Sequence, residues 1–430
     1  MKIYPVSLGC PKNRTDTEKL LAALVKQGDQ VVLDPAEADL LLVNTCAFIR
    51  EAVEESIDVI LELAEGKYPG QRLVVCGCLV TRYGEELLSE FPEVDLFLGI
   101  EPYRRPDLLR NQGQRRLYLK LEGPEFSGRL LTESPFYAYL KVAEGCSHAC
   151  SFCLIPRLRG PLRSIPEELI LAEAGNLLAQ GVQEIILVGQ DVSAYGLDQE
   201  KRRLGALIKR LVNLTELRWL RLLYLNPQGV TEELLDAMAE SEKICPYFDL
   251  PVQHASPKVL KAMRRPYQPE EILGLIEMIR KRWPEAGIRT AVIVGFPGET
   301  EEDFDLLLEF IKEARFDHLG AFIFSPEEGT PAARMPDQVP EEIKQERFTR
   351  LMELQQDISR ENLRARLGKE TEVLVEGLDE EGRLYGHARF QAPEIDGVTF
   401  VSGENVSPGD IVRVRLIEAD IYDLKGLVLR

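Results

Sequence analysis

Three cysteines crowd into the run Gly145-Cys146-Ser147-His148-Ala149-Cys150-Ser151-Phe152-Cys153, and no fourth cysteine follows nearby. The CxxxCxxC spacing brings three sulfurs onto one tight loop, suited to three irons of a 4Fe-4S cluster whose fourth iron lacks a protein ligand. A structural iron-sulfur site normally supplies four thiolates, because each iron takes four-coordinate sulfur. The inner pair also reads as half of a zinc ribbon or as a redox dithiol. Zinc, however, needs a fourth ligand, and the remaining cysteines sit far along the chain.

A chain of 430 residues is too long for one ordinary core and implies two to three domains. No stretch approaches the apolar length that spans a bilayer, and Met1-Lys2-Ile3-Tyr4-Pro5 opens no signal segment, so a cytoplasmic location without membrane contact is expected. The eight cysteines are then expected as thiols and ligands rather than disulfides. A net charge of -19 argues against general attraction to a polyanion and suits a basic protein partner, although acidity for solubility alone explains it equally well.

The expected fold class is α/β in three parts: residues 1–120, a linker at 121–134, residues 135–365 and residues 366–430. In the first part, apolar runs at Ile3-Leu8, Val31-Leu33, Leu40-Val43 and Leu73-Val75 read as strands of an open parallel sheet, with helices at Asp16-Lys26 and Glu51-Glu65. Cys10, Cys46 and Cys78 each follow a strand, beside Gly9, Asn44-Thr45 and Gly77. Carboxyl ends of parallel strands share one edge, so these three thiols are able to converge on a ligand site. Buried cysteines are also common as small core residues, the reading given to Cys76 within its strand.

The linker around Glu122-Pro135 is rich in turn residues. Beyond it, strands are expected at Tyr137-Val142, Glu184-Val188, Trp219-Leu225, Tyr247-Val252, Arg289-Val294 and Leu319-Phe324, with helices at Pro166-Gln180 and Pro269-Arg282 between them. Six βα repeats suit a partial (β/α)6 barrel, with the cysteine loop at its catalytic mouth. A long helix at Glu341-Leu367 leads to short strands that suit a small five-stranded antiparallel β-barrel. That tail carries seven Lys and Arg against thirteen Asp and Glu over residues 369–430, the wrong sign for RNA binding.

The cysteine loop, with aromatic Phe152 before its last cysteine, resembles the radical S-adenosylmethionine superfamily. Across nearly its whole length the chain resembles the methylthiotransferases of that superfamily, through Gly9-Cys10-Pro11-Lys12-Asn13, Val43-Asn44-Thr45-Cys46, Gly77-Cys78-Leu79, Ile155-Pro156-Arg157, Arg159-Gly160 and Leu250-Pro251-Val252-Gln253. His148, Gln253-His254-Ala255-Ser256 and Gln391-Ala392-Pro393-Glu394-Ile395-Asp396-Gly397 are similar to the branch that modifies the β-carbon of an aspartate in a small-subunit ribosomal protein near the decoding centre.

The resemblance implies a radical SAM core, a C-terminal TRAM barrel, S-adenosylmethionine and two 4Fe-4S clusters. One cluster is implied on Cys146, Cys150 and Cys153, the other on Cys10, Cys46 and Cys78. Cleavage of S-adenosylmethionine at the first would yield a 5′-deoxyadenosyl radical that removes a hydrogen from the target carbon. Sulfur at the second would then add, with a second S-adenosylmethionine as methyl donor. The implied partners are a basic small-subunit ribosomal protein and a low-potential electron donor such as flavodoxin or ferredoxin, with nucleic acid met only as part of the ribosome.

Family positions suggest cofactor contacts at Phe152, Gln190, Asp191, Gln253, Gly295 and Phe296; ordinary βα-turn roles compete at each loop position. His148 and His254 are expected to make loop hydrogen bonds, and Arg157, Arg159 and Arg163 to form surface salt bridges. The competing functions are a tRNA adenosine 2-methylthiotransferase and a non-catalytic iron-sulfur or RNA-binding module.

Overall fold

The computed structural model describes residues 1–110 and 116–429; residues 111–115 of the first expected part and residue 430 of the third lie outside the described set. The chain first builds a six-stranded parallel sheet from β1 (Lys2–Ser7), β2 (Gln30–Val31), β3 (Leu40–Thr45), β4 (Arg72–Gly77), β5 (Leu96–Leu98) and β6 (Arg116–Tyr118), in the order β2-β1-β3-β4-β5-β6. Helices cover both faces, which is why every residue of β3 is buried.

The first helix, α1 (Pro11–Val25), starts five residues before the expected Asp16, because Pro11 is set for the first helical turn and Cys10 caps it in an extended conformation. Its polar residues are not on the outside. Lys12, Asn13, Thr15, Asp16, Thr17, Glu18 and Lys19 are all buried, since this face docks on the next domain.

The central unit comprises β7 (Tyr137–Lys141), a short hairpin of β8 (Ala143–Glu144) and β9 (Arg163–Ser164), then β10 (Glu184–Val188), β11 (Trp219–Leu222), β12 (Tyr247–Asp249), β13 (Gly287–Val294) and β14 (His318–Ile323). The main strands run parallel in two triplets, β7-β10-β11 and β12-β13-β14. The triplets meet through the Leu220–Ile244 bridge and the Leu225 amide on the Asp249 carbonyl at 2.9 Å, giving an open six-stranded barrel. β11 and β12 end three residues earlier than expected. The chain leaves the sheet before Tyr224 and Gln253, whose φ angles of 56° and 67° no strand accommodates.

The long helix Glu341–Arg364 packs along β14 and leads to β15 (Glu370–Leu378), β16 (Leu384–Ala388), β17 (Thr399–Ser402), β18 (Ile411–Ala419) and β19 (Leu424–Val428), a closed barrel in the order β15-β16-β17-β19-β18. Its segment Gln391–Gly397 faces inward, not outward. Asp396 accepts from Tyr247 Oη at 2.7 Å and Arg289 at 2.9 Å, and Glu394 accepts from Tyr137 Oη at 2.8 Å and from Arg14 of α1 at 2.6 Å. His387 of β16 lies between Glu376 at 2.7 Å and Glu184 of β10, which in turn pairs with Arg221 at 2.6 Å.

The residues between β6 and β7, expected as a linker, are strapped down. Arg129 is buried and donates to Glu18 of α1, to the Tyr139 carbonyl at 2.8 Å and to Glu173 at 2.9 Å. Lys19 completes the group on Glu173 at 2.8 Å. Removing one member of such a buried group leaves the others uncompensated. Arg129→Ala is therefore expected to destabilise the protein by about 3–5 kcal/mol, read as a lowered unfolding midpoint in calorimetry.

Burial opposes charge on His387, but Glu184 and Glu376 outweigh it and hold its pKa above the usual value. A raised folded-state pKa contributes stability that is complete below the unfolded value of about 6.5 and is lost as pH rises through the folded value. Thermal unfolding of the wild type should therefore lose stability over that interval, whereas His387→Gln should flatten the profile.

Candidate functional site

The carboxyl edges of both sheets meet. In the first domain, Cys10 caps α1 after β1, Cys46 follows β3, and Cys78 opens the helix Cys78–Tyr83 directly after β4. Two glycines make room for them. At Gly9, with φ of 83°, a Cβ would stand 2.6 Å from the Cys46 Cβ, and at Gly77, with φ of 99°, one would stand 2.3 Å from Asn44 Oδ1. Only glycine accepts both the left-handed backbone and the close approach. The three thiols lie near enough to influence one another electrostatically. Cys76, by contrast, is wholly buried in β4.

Burial alone would raise the Cys10 pKa, but Lys12, Arg159 and the amides of Asn13 and Lys12 bring it below the usual thiol value. Burial dominates at Cys46, which is raised, and at Cys78, which is pushed up to about 11 despite Arg159. Arg159 is therefore a buried residue at the centre of the site and not a surface salt bridge. Its Nη2 donates to Cys78 Sγ at 3.4 Å and to Asn13 Oδ1 at 2.8 Å, and its Nη1 to Glu144 at 3.0 Å. Lys141 shares that group, donating to Asp16 at 2.5 Å and to Glu144 at 2.7 Å. Although burial opposes it, Arg159 and Lys141 hold the Glu144 carboxyl far below the usual range. Arg163 does lie at the surface, paired with Glu101 at 2.6 Å, and Arg157 is exposed.

The Cys146–Cys153 loop hangs from the β8–β9 hairpin. Cys146 N donates to the Gly160 carbonyl at 3.0 Å, and Ser151 ties the loop to the helix Pro257–Met263 through the Met263 and Ala262 carbonyls. Each sulfur has its own donor: His148 N on Cys146 at 3.5 Å, Ile155 N on Cys153 at 3.4 Å and Arg265 Nη1 on Cys150 at 3.8 Å. Donors aimed at sulfur are what iron-bound thiolates use to tune a cluster. Burial pushes Cys146 up to about 11 and Cys153 up to about 12 in the absence of metal. Among the described residues no three His, Cys, Asp or Glu side chains close on a point that one ion could fill.

A cavity of about 350 Å³ opens beside the loop, lined by Phe48 and Ile49 just after Cys46, by Phe152, by Gln253 and by Ile293 and Phe324 of the barrel. That volume suits a small-molecule ligand. Gln253 is held there by its amide on the Ala291 carbonyl and its carbonyl on the Ile293 amide, both at 2.8 Å. Gln190 gives its Nε2 to Glu144 at 2.8 Å and leaves a buried Oε1 without a partner. Asp191 is already engaged, by His148 Nε2 at 2.7 Å and Ser193 Oγ at 2.5 Å, so it orients the cysteine loop through His148.

Gly295 and Phe296, expected as cofactor contacts, lie in a tightly packed turn. Their amides both donate to Glu299 Oε2, Phe296 is fully buried against Phe324, and a Cβ at Gly295 would strike Lys344 at 2.2 Å. Packing against the long helix accounts for both. His254 makes the expected loop hydrogen bond, accepting from Ser256 N at 2.9 Å. Glu144 and Arg265 were not singled out from the sequence. The only signals were an acidic residue next to Gly145 and an arginine pair before Pro266.

Three family profiles match the chain: the radical SAM superfamily over residues 140–311, an uncharacterized family designated UPF0004 over residues 2–99, and the TRAM domain over residues 367–429. A protein of Geobacter sulfurreducens named ribosomal protein uS12 methylthiotransferase RimO is 46% identical over 440 residues, covering 100% of this chain and 98% of its own length. One of the same name from Syntrophus aciditrophicus is 47% identical, covering 99% and 98%. Among solved structures, the radical S-adenosylmethionine methyltransferase TsrM from Kitasatospora setae superposes with a TM-score of 0.54 at 16% identity, over 77% of this chain and 73% of its own, a likeness of fold.

The depressed Cys10 thiol gives a direct test of the first triad. In metal-free protein near neutral pH, iodoacetamide should label Cys10 well ahead of Cys46 and Cys78 in peptide mapping, because thiolate is the reactive form. In Arg159→Gln the Cys10 advantage should shrink.

Proposed function

The chain belongs to the RimO family of ribosomal protein uS12 methylthiotransferases, within the radical S-adenosylmethionine superfamily, and on that basis we propose how its two cysteine triads share the work. It transfers a methylthio group to the β-carbon of an aspartate of uS12. Cys146, Cys150 and Cys153 would hold the cluster that binds S-adenosylmethionine, and Cys10, Cys46 and Cys78 a second cluster that presents the sulfur. Bound there, the cofactors supply the radical and the methylthio group that no acid or base side chain can provide.

The observation that carries this reading is Arg159. It lies six residues beyond Cys153 yet donates to Cys78 Sγ, so the segment that follows one triad completes the surroundings of the other. The remaining residues prepare the space between the triads. Phe48, Phe152 and Phe324 give an apolar wall, and Gln253 lines the same cavity with a side-chain amide. His148, oriented by Asp191 and Asn226, braces the loop that carries the ligands of the first cluster. On the barrel side, Gln190 holds Glu144 and Arg265 donates to Cys150.

A low-potential flavodoxin or ferredoxin delivers the electron, and the ribosomal substrate implies action in the cytoplasm. Among the described residues no helix is long and apolar enough to cross a membrane. The tRNA reading is not favoured: the full-length relatives are named for a protein substrate, and the acidic C-terminal barrel repels a polyanion.

Mass spectrometry of ribosomal proteins and digested tRNA, from a host without its own methylthiotransferases that expresses this chain, tests the assignment. A methylthio gain on the uS12 aspartate is expected; a gain on tRNA adenosine would refute it. With purified anaerobic protein, Cys146→Ala should abolish S-adenosylmethionine cleavage, whereas Cys46→Ala should keep cleavage and lose methylthio transfer. Equal loss of cleavage in both would mean that the first domain holds no separate sulfur site.

A further inference from the structure

Most buried cations of this molecule have a carboxylate. Lys19 and Arg129 have Glu173, Lys141 has Asp16 and Glu144, Arg159 has Glu144, and Arg221 has Glu184. Arg265 has none, but it is occupied by the Pro251 carbonyl at 3.0 Å and the Cys150 sulfur. Lys12 stands apart. It is 8% exposed, its ammonium lies 3.5 Å from the centre of the Tyr224 ring and interacts with that side chain and with Cys10, and among the described residues it forms no ion pair with a carboxylate.

An aromatic face attracts a cation without saturating it: the three N–H groups keep the capacity to donate to an anion on the other side. Leaving such a charge buried without a carboxylate is costly unless an anion arrives to meet it.

The ring beneath is held in place under strain. Tyr224 has a φ of 56°, a left-handed conformation that an aromatic residue rarely takes. It is kept there by its amide on Asp249 Oδ2 at 2.9 Å and by its carbonyl, which accepts from Val192 N at 3.0 Å. Strain of this kind persists where the surroundings enforce it, and it clusters at ligand sites. Tyr224 stands just past the carboxyl end of β11, on the rim of the barrel, and Lys12 stands two residues beyond Cys10. The ammonium therefore sits between the barrel mouth and the first triad. Arg159, the other cation beside Cys10, has its guanidinium engaged by Glu144, Asn13 and Cys78.

We propose that the Lys12 ammonium, seated on the Tyr224 ring, receives the side-chain carboxylate of the substrate aspartate and selects it over a neutral side chain. The inference rests on the function proposed above and adds to it a specificity residue. The carboxylate is bonded directly to the carbon that is modified, so anchoring it fixes the reacting atom more tightly than contacts elsewhere on the substrate protein. It also gives the site a reason to reject asparagine, which has the same shape but brings no charge to the waiting cation.

The test is equilibrium binding by calorimetry, because a ratio of dissociation constants needs no turnover. Reconstituted full-length enzyme is titrated with uS12 carrying the target aspartate and with uS12 in which that residue is asparagine. Wild type should prefer aspartate by about 30-fold or more, as expected for a buried charge pair that loses one partner. In Lys12→Gln the preference should fall to near unity, and Lys12→Arg should recover much of it.

An undiminished preference in Lys12→Gln would overturn the proposal, as would a wild type that binds both forms equally. Should Lys12→Gln instead alter the electron paramagnetic resonance spectrum of the first-domain cluster while the preference stands, Lys12 serves the thiolates and the proposal fails. A wild-type enzyme that neither binds nor methylthiolates uS12 would refute the proposed function itself, an outcome distinct from an enzyme that modifies uS12 without reading the carboxylate.

Discussion

The relative placement of the two cysteine triads depends on one buried electrostatic group, in which Lys141 and Arg159 of the barrel are shared between Asp16 of α1 and Glu144. Such a group is poor evidence of net stability, because removing four charges from water costs much of what their attraction returns. Its value here is in geometry. Hydrophobic surfaces slide over one another with little penalty, whereas a guanidinium that must satisfy Glu144, Asn13 and Cys78 at once has few acceptable positions. The first domain is therefore registered on the barrel mouth to within the tolerance of hydrogen bonds, and the two cysteine triads inherit that precision.

Much of this was legible from residue order alone. Cysteines placed after strands of a parallel sheet could reach one edge, and six βα repeats suited a barrel with the CxxxCxxC loop at its mouth. The closed C-terminal barrel was equally readable, because short strand-like runs are separated by turns marked by polar residues and glycine.

What escaped was polar and long-range. The face of α1 that docks is made of Lys12, Asn13, Asp16 and Lys19, so the apolar periodicity that reveals an amphipathic helix is absent, and the helix was expected to begin only at Asp16. Arg159 looked like a surface residue because its partners Asn13, Asp16 and Cys78 lie 146, 143 and 81 residues away. Arg129 looked like part of a tether for the same reason, with Glu18 at a separation of 111. Sequence pattern reports what a residue's neighbours make affordable, and these residues are made affordable by charges from another domain. At Gly295 the strand-end turn packs so closely on Lys344 of the long helix that only glycine fits, a contact that residue order does not reveal.

Glu394 joins all three parts of the molecule, accepting from Arg14 of α1 and from Tyr137 at the start of the barrel. During synthesis the first domain emerges long before any of these partners, and domains fold as the chain appears. The polar face of α1 then waits in water, with Asp16 and Arg14 still solvated, and Cys10, Cys46 and Cys78 lie open to the surroundings without Arg159. The barrel closes over that face only later, and the junction at residue 394 later still. Shelter of the first cysteine triad thus has to wait for the barrel, and a chain released before Arg159 would carry three accessible thiols with no guanidinium beside them.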